Sequence, residues 1–203
     1  MSDRFARFYQ PMDRFDFLTL VDHWSTYGIT LQNPHTHRVT AISVEGDQVE
    51  TSPDLLKVTF SNSSPITFQL WLNEDTDVTS SIRFLSSHRV VEEYELDGLL
   101  ESEMDRVLEI IVARFKLKAV ETADLFLVID REGYTIDLDW DQLSAIGRYD
   151  ERICPDVLAM PAVRSVDFRS CIKRNSVLVQ VGSYLLMRTP SRTEKVSKPP
   201  DAP

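Results

Sequence analysis

The chain has 203 residues, 42% of them apolar, with 22 Lys/Arg against 32 Asp/Glu, a formal net charge of −10. That excess of acid argues against nucleic acid or an anionic membrane as the main partner, because both repel a negative surface. No apolar run approaches the roughly 18 residues that span a bilayer, and no stretch of signal-peptide type follows the first residues, so the expected compartment is the cytoplasm.

Residues 1–14 mix polar and aromatic side chains (Phe5, Phe8, Tyr9) with Pro11 among them, and read as an irregular arm over the core. Phe15 to Trp24 places Leu18, Val21 and Trp24 at helical spacing, and Gly28 is a suitable stop. From Ile29 the text turns to β structure. Val39–Val44 and Gln48–Thr51 flank a Glu45-Gly46-Asp47 turn. Leu55–Phe60, Ile66–Leu72, Ile82–Leu85 and Arg89–Leu96 follow as strands, separated by loops rich in Ser, Asn, Asp and Pro. One strand per roughly 8–12 residues is the spacing of an antiparallel meander.

Asp97 to Trp140 reads as one long amphipathic helix feeding a tight hairpin. Leu100, Met104, Val107, Leu108, Ile111 and Phe115 keep to one helical face, with Glu103, Arg106, Glu109 and Lys116 opposite. Acids crowd the first turns and bases the last, which complements the helix dipole. Asp97 is the expected N-cap. Leu125–Ile129 then pairs with an alternating strand, Tyr134–Trp140, across Asp130-Arg131-Glu132-Gly133.

Past the hairpin, Gln142–Ile146 reads as a helical turn and Val157–Met160 as a short helix between Pro155 and Pro161. Val163–Phe168 and Ser176–Met187 read as strands joined near Lys173-Arg174-Asn175, the second long and apolar enough to be central. The expected fold is α+β: an antiparallel β-meander in the N-terminal half, one long central amphipathic helix, a β-hairpin and C-terminal antiparallel strands, in one sheet or two packed lobes. The lobes would be a β-rich 1–96 and an α+β 97–188, two units or one continuous domain, with a disordered Pro-rich tail at 189–203. Cys154 and Cys171 read as reduced thiols.

Three constellations bear on chemistry. Asp137, Asp139 and Asp141, with Asp130 across the turn, would share one strand face at about 6.5–7 Å steps, a row that could seed a hard-cation site or simply face solvent. His35 and His37 are two apart in a loop, and His37-Arg38-Val39 echoes His88-Arg89-Val90. A two-histidine phosphoesterase needs a hydroxyl residue two positions after each histidine, and valine stands at both. Cys171 lies near Lys173 and Arg174, which would lower a thiol pKa. Nucleotide, hydrolase and metalloprotease motifs are absent from the sequence, and no cofactor is implied.

Charge is uneven: residues 92–168 hold 8 Lys/Arg against 19 Asp/Glu, and residues 169–203 hold 7 against 2. The leading expectation is a non-enzymatic protein-binding module, an adaptor, chaperone or inhibitor of immunity type, that takes a basic protein partner on an acidic surface. Glu132, Asp137, Asp139, Asp141 and the aromatic Trp71 would form that surface. The alternative is a metal-dependent hydrolase on Asp137 and Asp139 with His35 and His37. An edge strand such as Leu55–Phe60 is where a homodimer would form.

Overall fold

The computed structural model describes residues 3–61, 64–146, 154–164 and 177–188. The fold is α+β, and among the described residues the strands form a single antiparallel sheet of ten. In chain order they are β1 (Phe5–Pro11), β2 (Val39–Ile42), β3 (Gln48–Thr51), β4 (Ile66–Trp71), β5 (Asp77–Leu85), β6 (Arg89–Glu95), β7 (Phe126–Asp130), β8 (Val157–Pro161), β9 (Val177–Val181) and β10 (Tyr184–Arg188). Their order across the sheet is β3-β2-β4-β5-β6-β1-β7-β8-β10-β9.

The N-terminal segment is therefore no arm. β1 pairs with β6 from Phe5↔Glu95 to Pro11↔Arg89, and with β7 from Phe5↔Asp130 to Tyr9↔Phe126. It joins the meander of the first half to the strands of the second. Phe5, Ala6, Phe8, Tyr9 and Gln10 are all buried. A strand covered on both faces lacks the polar alternation by which strands are recognised, and Pro11 falls at its end, where proline is tolerated.

Three helices lie on one face: α1 (Phe17–Thr26), α2 (Pro53–Ser61) and α3 (Glu101–Lys118). Phe17, Leu20, Trp24, Leu56, Val107, Ile111 and Phe115 meet Phe8, Phe68, Leu70, Ile82 and Leu127 of the sheet there. α2 replaces the expected strand Leu55–Phe60. Ser52 Oγ accepts from Leu55 N (3.2 Å), and Pro53 occupies the first turn. Serine before proline is a helix start. α3 begins three residues later than expected, with Leu100 at the N-cap position. Asp97 does not cap it but accepts from Asp3 N (2.7 Å) and Arg4 Nε (2.8 Å), while Leu100 N donates to Glu103 Oε2 (2.9 Å).

A smaller cluster covers part of the other face. Trp140 of α4 (Trp140–Ile146), with Ile136, Leu138 and Leu143, closes over Phe5, Tyr9, Phe126, Val128 and Leu158. Tyr134–Trp140 is a run of turns, not the second strand of a hairpin. The Asp130 carboxylate takes the amides of Glu132 (3.2 Å), Gly133 (2.8 Å) and Thr135 (2.5 Å), together with Thr135 Oγ1 (2.6 Å). The carboxylate thus folds the turn and the first residues of the expected strand around itself, in competition with a hairpin ladder.

Val157–Met160 is strand β8, not a helix; four apolar residues buried on both sides carry no period by which to tell the two apart. Ser176–Met187 divides at Gly182 into β9 and β10. Among the described residues β9 ends the sheet, whereas the sequence suggested a central position. Of the expected strand Val163–Phe168, Ala162–Arg164 form a short 3-10 turn and the rest lies outside the described residues. The Lys173-Arg174-Asn175 connection, Cys171 and the tail 189–203 lie outside them too, and Cys154 is buried. Among the described residues no helix is long and apolar enough to cross a membrane.

Candidate functional site

One end of the sheet collects carboxylates from distant parts of the chain. It is the end where β1, β5 and β8 begin and β4, β6 and β7 finish, as the registers Phe5↔Glu95, Phe5↔Asp130, Trp71↔Asp77 and Ile129↔Val157 require. Glu95 and Asp97 leave β6 there, Asp130 and Glu132 leave β7, Asp156 enters β8 and Asp77 enters β5. Asp3 precedes β1, and the first turns of α3 add Glu101, Glu103 and Asp105.

Local hydrogen bonds hold these groups in place. In the hairpin between β4 and β5, Asn73 Oδ1 accepts from Asp75 N (2.8 Å) and Thr76 N (2.9 Å), a side-chain turn that leaves Glu74 and Asp75 exposed. Thr76 Oγ1 donates to Glu103 Oε1 (2.9 Å) and ties that hairpin to α3. Arg131 bridges Glu101 and Asp105, both at 2.7 Å, and its amide donates to Asp156 Oδ2 (2.7 Å). Asp130 is buried and its four donors fix the loop that carries the exposed Glu132.

Arg4 and Arg131 neutralise only part of this charge. Burial pushes the Asp156 carboxyl above the usual range, and the charges of Asp130 and Glu132 raise it further. Burial also raises Glu95, with Glu93 adding to it, and raises Asp77 against a hydrogen bond from Gln69. Burial is the main cause of all three shifts, and neighbouring carboxylates add to it at Asp156 and Glu95. At the same end, on the sheet face opposite α1, α2 and α3, Gln69 is 5% exposed and its Oε1 has no hydrogen-bond partner, nor has the buried Nε1 of the neighbouring Trp71.

The residues singled out in the sequence divide. Glu132 and Trp71 belong to this end, Trp71 half-buried opposite Asp77. Asp137 and Asp139 are exposed on the loop before α4, and Asp139 Oδ1 accepts from Gln142 N (3.0 Å) at the start of that helix. Asp141 turns inward. It binds Arg83 (2.9 Å) and accepts from Tyr9 Oη (2.9 Å). Burial would raise its carboxyl, but the hydrogen bond and charge of Arg83 outweigh burial and hold it below the usual range. Because 134–140 is not a strand, the expected row of three carboxylates on one face does not form.

His35 approaches Glu74 (3.5 Å), and His37 precedes β2 at the acidic end. His88 precedes β6 at the opposite end, where Met12 N donates to its carbonyl (3.0 Å). The sequence echo reflects a shared turn, with φ of 56° at His37 and 55° at His88. Among the described residues no three His, Cys, Asp or Glu side chains are grouped to hold a metal ion, and Asp137, Asp139, His35 and His37 are no exception.

Sequence reading missed Asp3, Asp77, Glu95 and Asp156 at this end, and named Asp97 only as a helix cap and Asp130 only across the turn from the Asp137–Asp141 row. Glu95, Asp97, Asp130 and Asp156 contributed to the acid count between 92 and 168, while Asp3 and Asp77 left no trace, since residues from separate segments have no spacing in common. It also missed Glu92 and Arg114, each 1% exposed and joined through Arg114 Nη2 to Glu92 Oε1 (2.8 Å) and Arg114 Nε to Glu92 Oε2 (3.0 Å). Tyr94 Oη donates to Glu92 Oε2 (2.8 Å), and Gln10 Nε2 also donates to that carboxylate. Here a signal existed: Glu92 shares strand parity with Val90 and Tyr94, and Arg114 lies on the apolar stripe of α3.

Comparison with protein-family models, with curated proteins and with solved structures finds no match to this chain.

Proposed function

We propose that this chain is a non-enzymatic protein-binding module that receives a basic protein partner at the acidic end of its sheet. The observation that carries this reading is the convergence there of carboxylates from six chain segments, held by backbone contacts and only partly balanced by arginine. The fixed hairpin and the Asp130-centred loop present Glu74, Asp75 and Glu132 with little freedom left to lose, and preorganisation of this kind lowers the cost of association. Concentrated negative potential speeds encounter with a cationic surface more than it sets final affinity.

The test is affinity capture from the protein's own cell lysate at low and high salt, with mass-spectrometric identification. It is repeated with Asp75→Lys/Glu132→Lys and with Asp54→Lys on α2 as a control. A basic protein captured in near-equal amount, weakened by salt and at least about tenfold by the double reversal but not by the control, supports the module. A partner that is acidic, insensitive to salt or indifferent to the double reversal would remove the acidic end from any role, as would a clean lane.

A further inference from the structure

The strand order ends, among the described residues, at β9. Its described partner is β10, in register from Tyr184↔Val181 to Arg188↔Val177. Edge strands usually carry a charge, a proline or a bulge that discourages pairing with another chain. The opposite edge follows that rule: β3 has Glu50 within it, bound by Arg38. β9 reads Val177-Leu178-Val179-Gln180-Val181, with neither charge nor proline. Val177 is 54% exposed and Val179 40% on the helix side, and Leu178 is 44% exposed on the other. Apolar surface on both faces of an edge is a template for a further strand.

We propose that two copies of this chain associate edge to edge through β9, antiparallel, with Val179 on the two-fold axis. That register sets Val177 of one copy against Val181 of the other and Leu178 against Gln180, so the five residues complement themselves as an isologous interface requires. Charge favours the same geometry. β9 starts at the acidic end, its first residue beside Arg188, which faces Val157 next to Asp156. Antiparallel pairing carries the acidic ends to opposite corners of the joined sheet and sets each beside the end that holds Lys116, Lys118 and Arg164. A pairing of five residues is small beside the roughly 1,000 Å² of a stable interface, so association is concentration-dependent, with Kd in about the micromolar range.

Sedimentation equilibrium of the full chain tests this. The wild-type mass rises with concentration from the 23.3 kDa of one chain toward twice that value. Val179→Lys raises Kd by at least about tenfold, and Val49→Lys on β3 leaves it unchanged, with circular dichroism establishing that both are folded. Register is read separately. Val179→Cys in a Cys171→Ser background oxidises to a dimer cross-linked between the two introduced cysteines, and Val163→Cys in that background does not. A chain that stays monomeric at every concentration, a Val179→Lys variant that associates like wild type, or absence of the 179–179 cross-link would overturn the proposal. Asp75→Lys/Glu132→Lys leaves association unchanged, which separates this interface from the acidic end.

Discussion

At the scale of single residues, two carboxylates in opposite circumstances decide how the molecule responds to change. Glu92 is buried with its charge met by Arg114, Tyr94 and Gln10. Removing one partner leaves an uncompensated charge in a medium that solvates it poorly. Arg114→Met should therefore cost about 3–5 kcal/mol in chemical denaturation, and adding Glu92→Gln should recover much of the loss. Asp156 is the reverse case, held above its ordinary value of 3.8 chiefly by burial. The folded state binds its proton more readily than the unfolded state, so the ionised form costs stability above the raised value. That cost fades as pH falls through the raised value toward 3.8. Asp156→Asn should raise the melting temperature at neutral pH and lose its advantage as the solution is acidified across that window; a gain that persists below it would contradict the assignment.

At the scale of elements, the loop after β7 shows a carboxylate overriding a strand pattern. Tyr134, Ile136, Leu138 and Trp140 alternate as a strand should, yet Asp130 holds the amides of the turn and of Thr135, the second residue of that expected strand. Gly133 makes the turn possible, at φ +75° and with a built Cβ only 2.9 Å from the Asp3 carbonyl oxygen. Gly46 has φ +90° but nothing within 4 Å of its Cβ. Gly46→Ala should cost about 1 kcal/mol for the left-handed backbone alone. Gly133→Ala should cost at least about 1 kcal/mol more, because backbone must move as well. Equal effects in urea denaturation would mean that β1 and the loop give way freely.

At the scale of the whole molecule, β1 couples the two halves of the chain. It bonds to β6 on one side and β7 on the other, so segments 1–96 and 97–188 meet in one sheet. Trp24 and Trp140 are each at most 1% exposed and belong to the two different segments. Fluorescence reported by each alone, with the other tryptophans replaced by phenylalanine, should show one common unfolding midpoint. Two separate midpoints would mean two lobes that fold independently.

The α+β class, the apolar face and polarity of α3, the α1 segment and the strands β2, β3, β4 and β6 were legible in the sequence, because each rests on a local period of 3.6 or 2 or on turn residues that act where they stand. Tertiary structure alone placed β1 at the centre of the sheet and β9 at its end, since burial on both faces or on neither removes the alternation that marks a strand. It alone set Arg114 against Glu92 and drew the carboxylates of β5, β6, β7, β8 and α3 to one end. Strand pairing brings together residues up to 94 positions apart, as in Asp3 and Asp97, and no local pattern records what a residue will meet across the sheet.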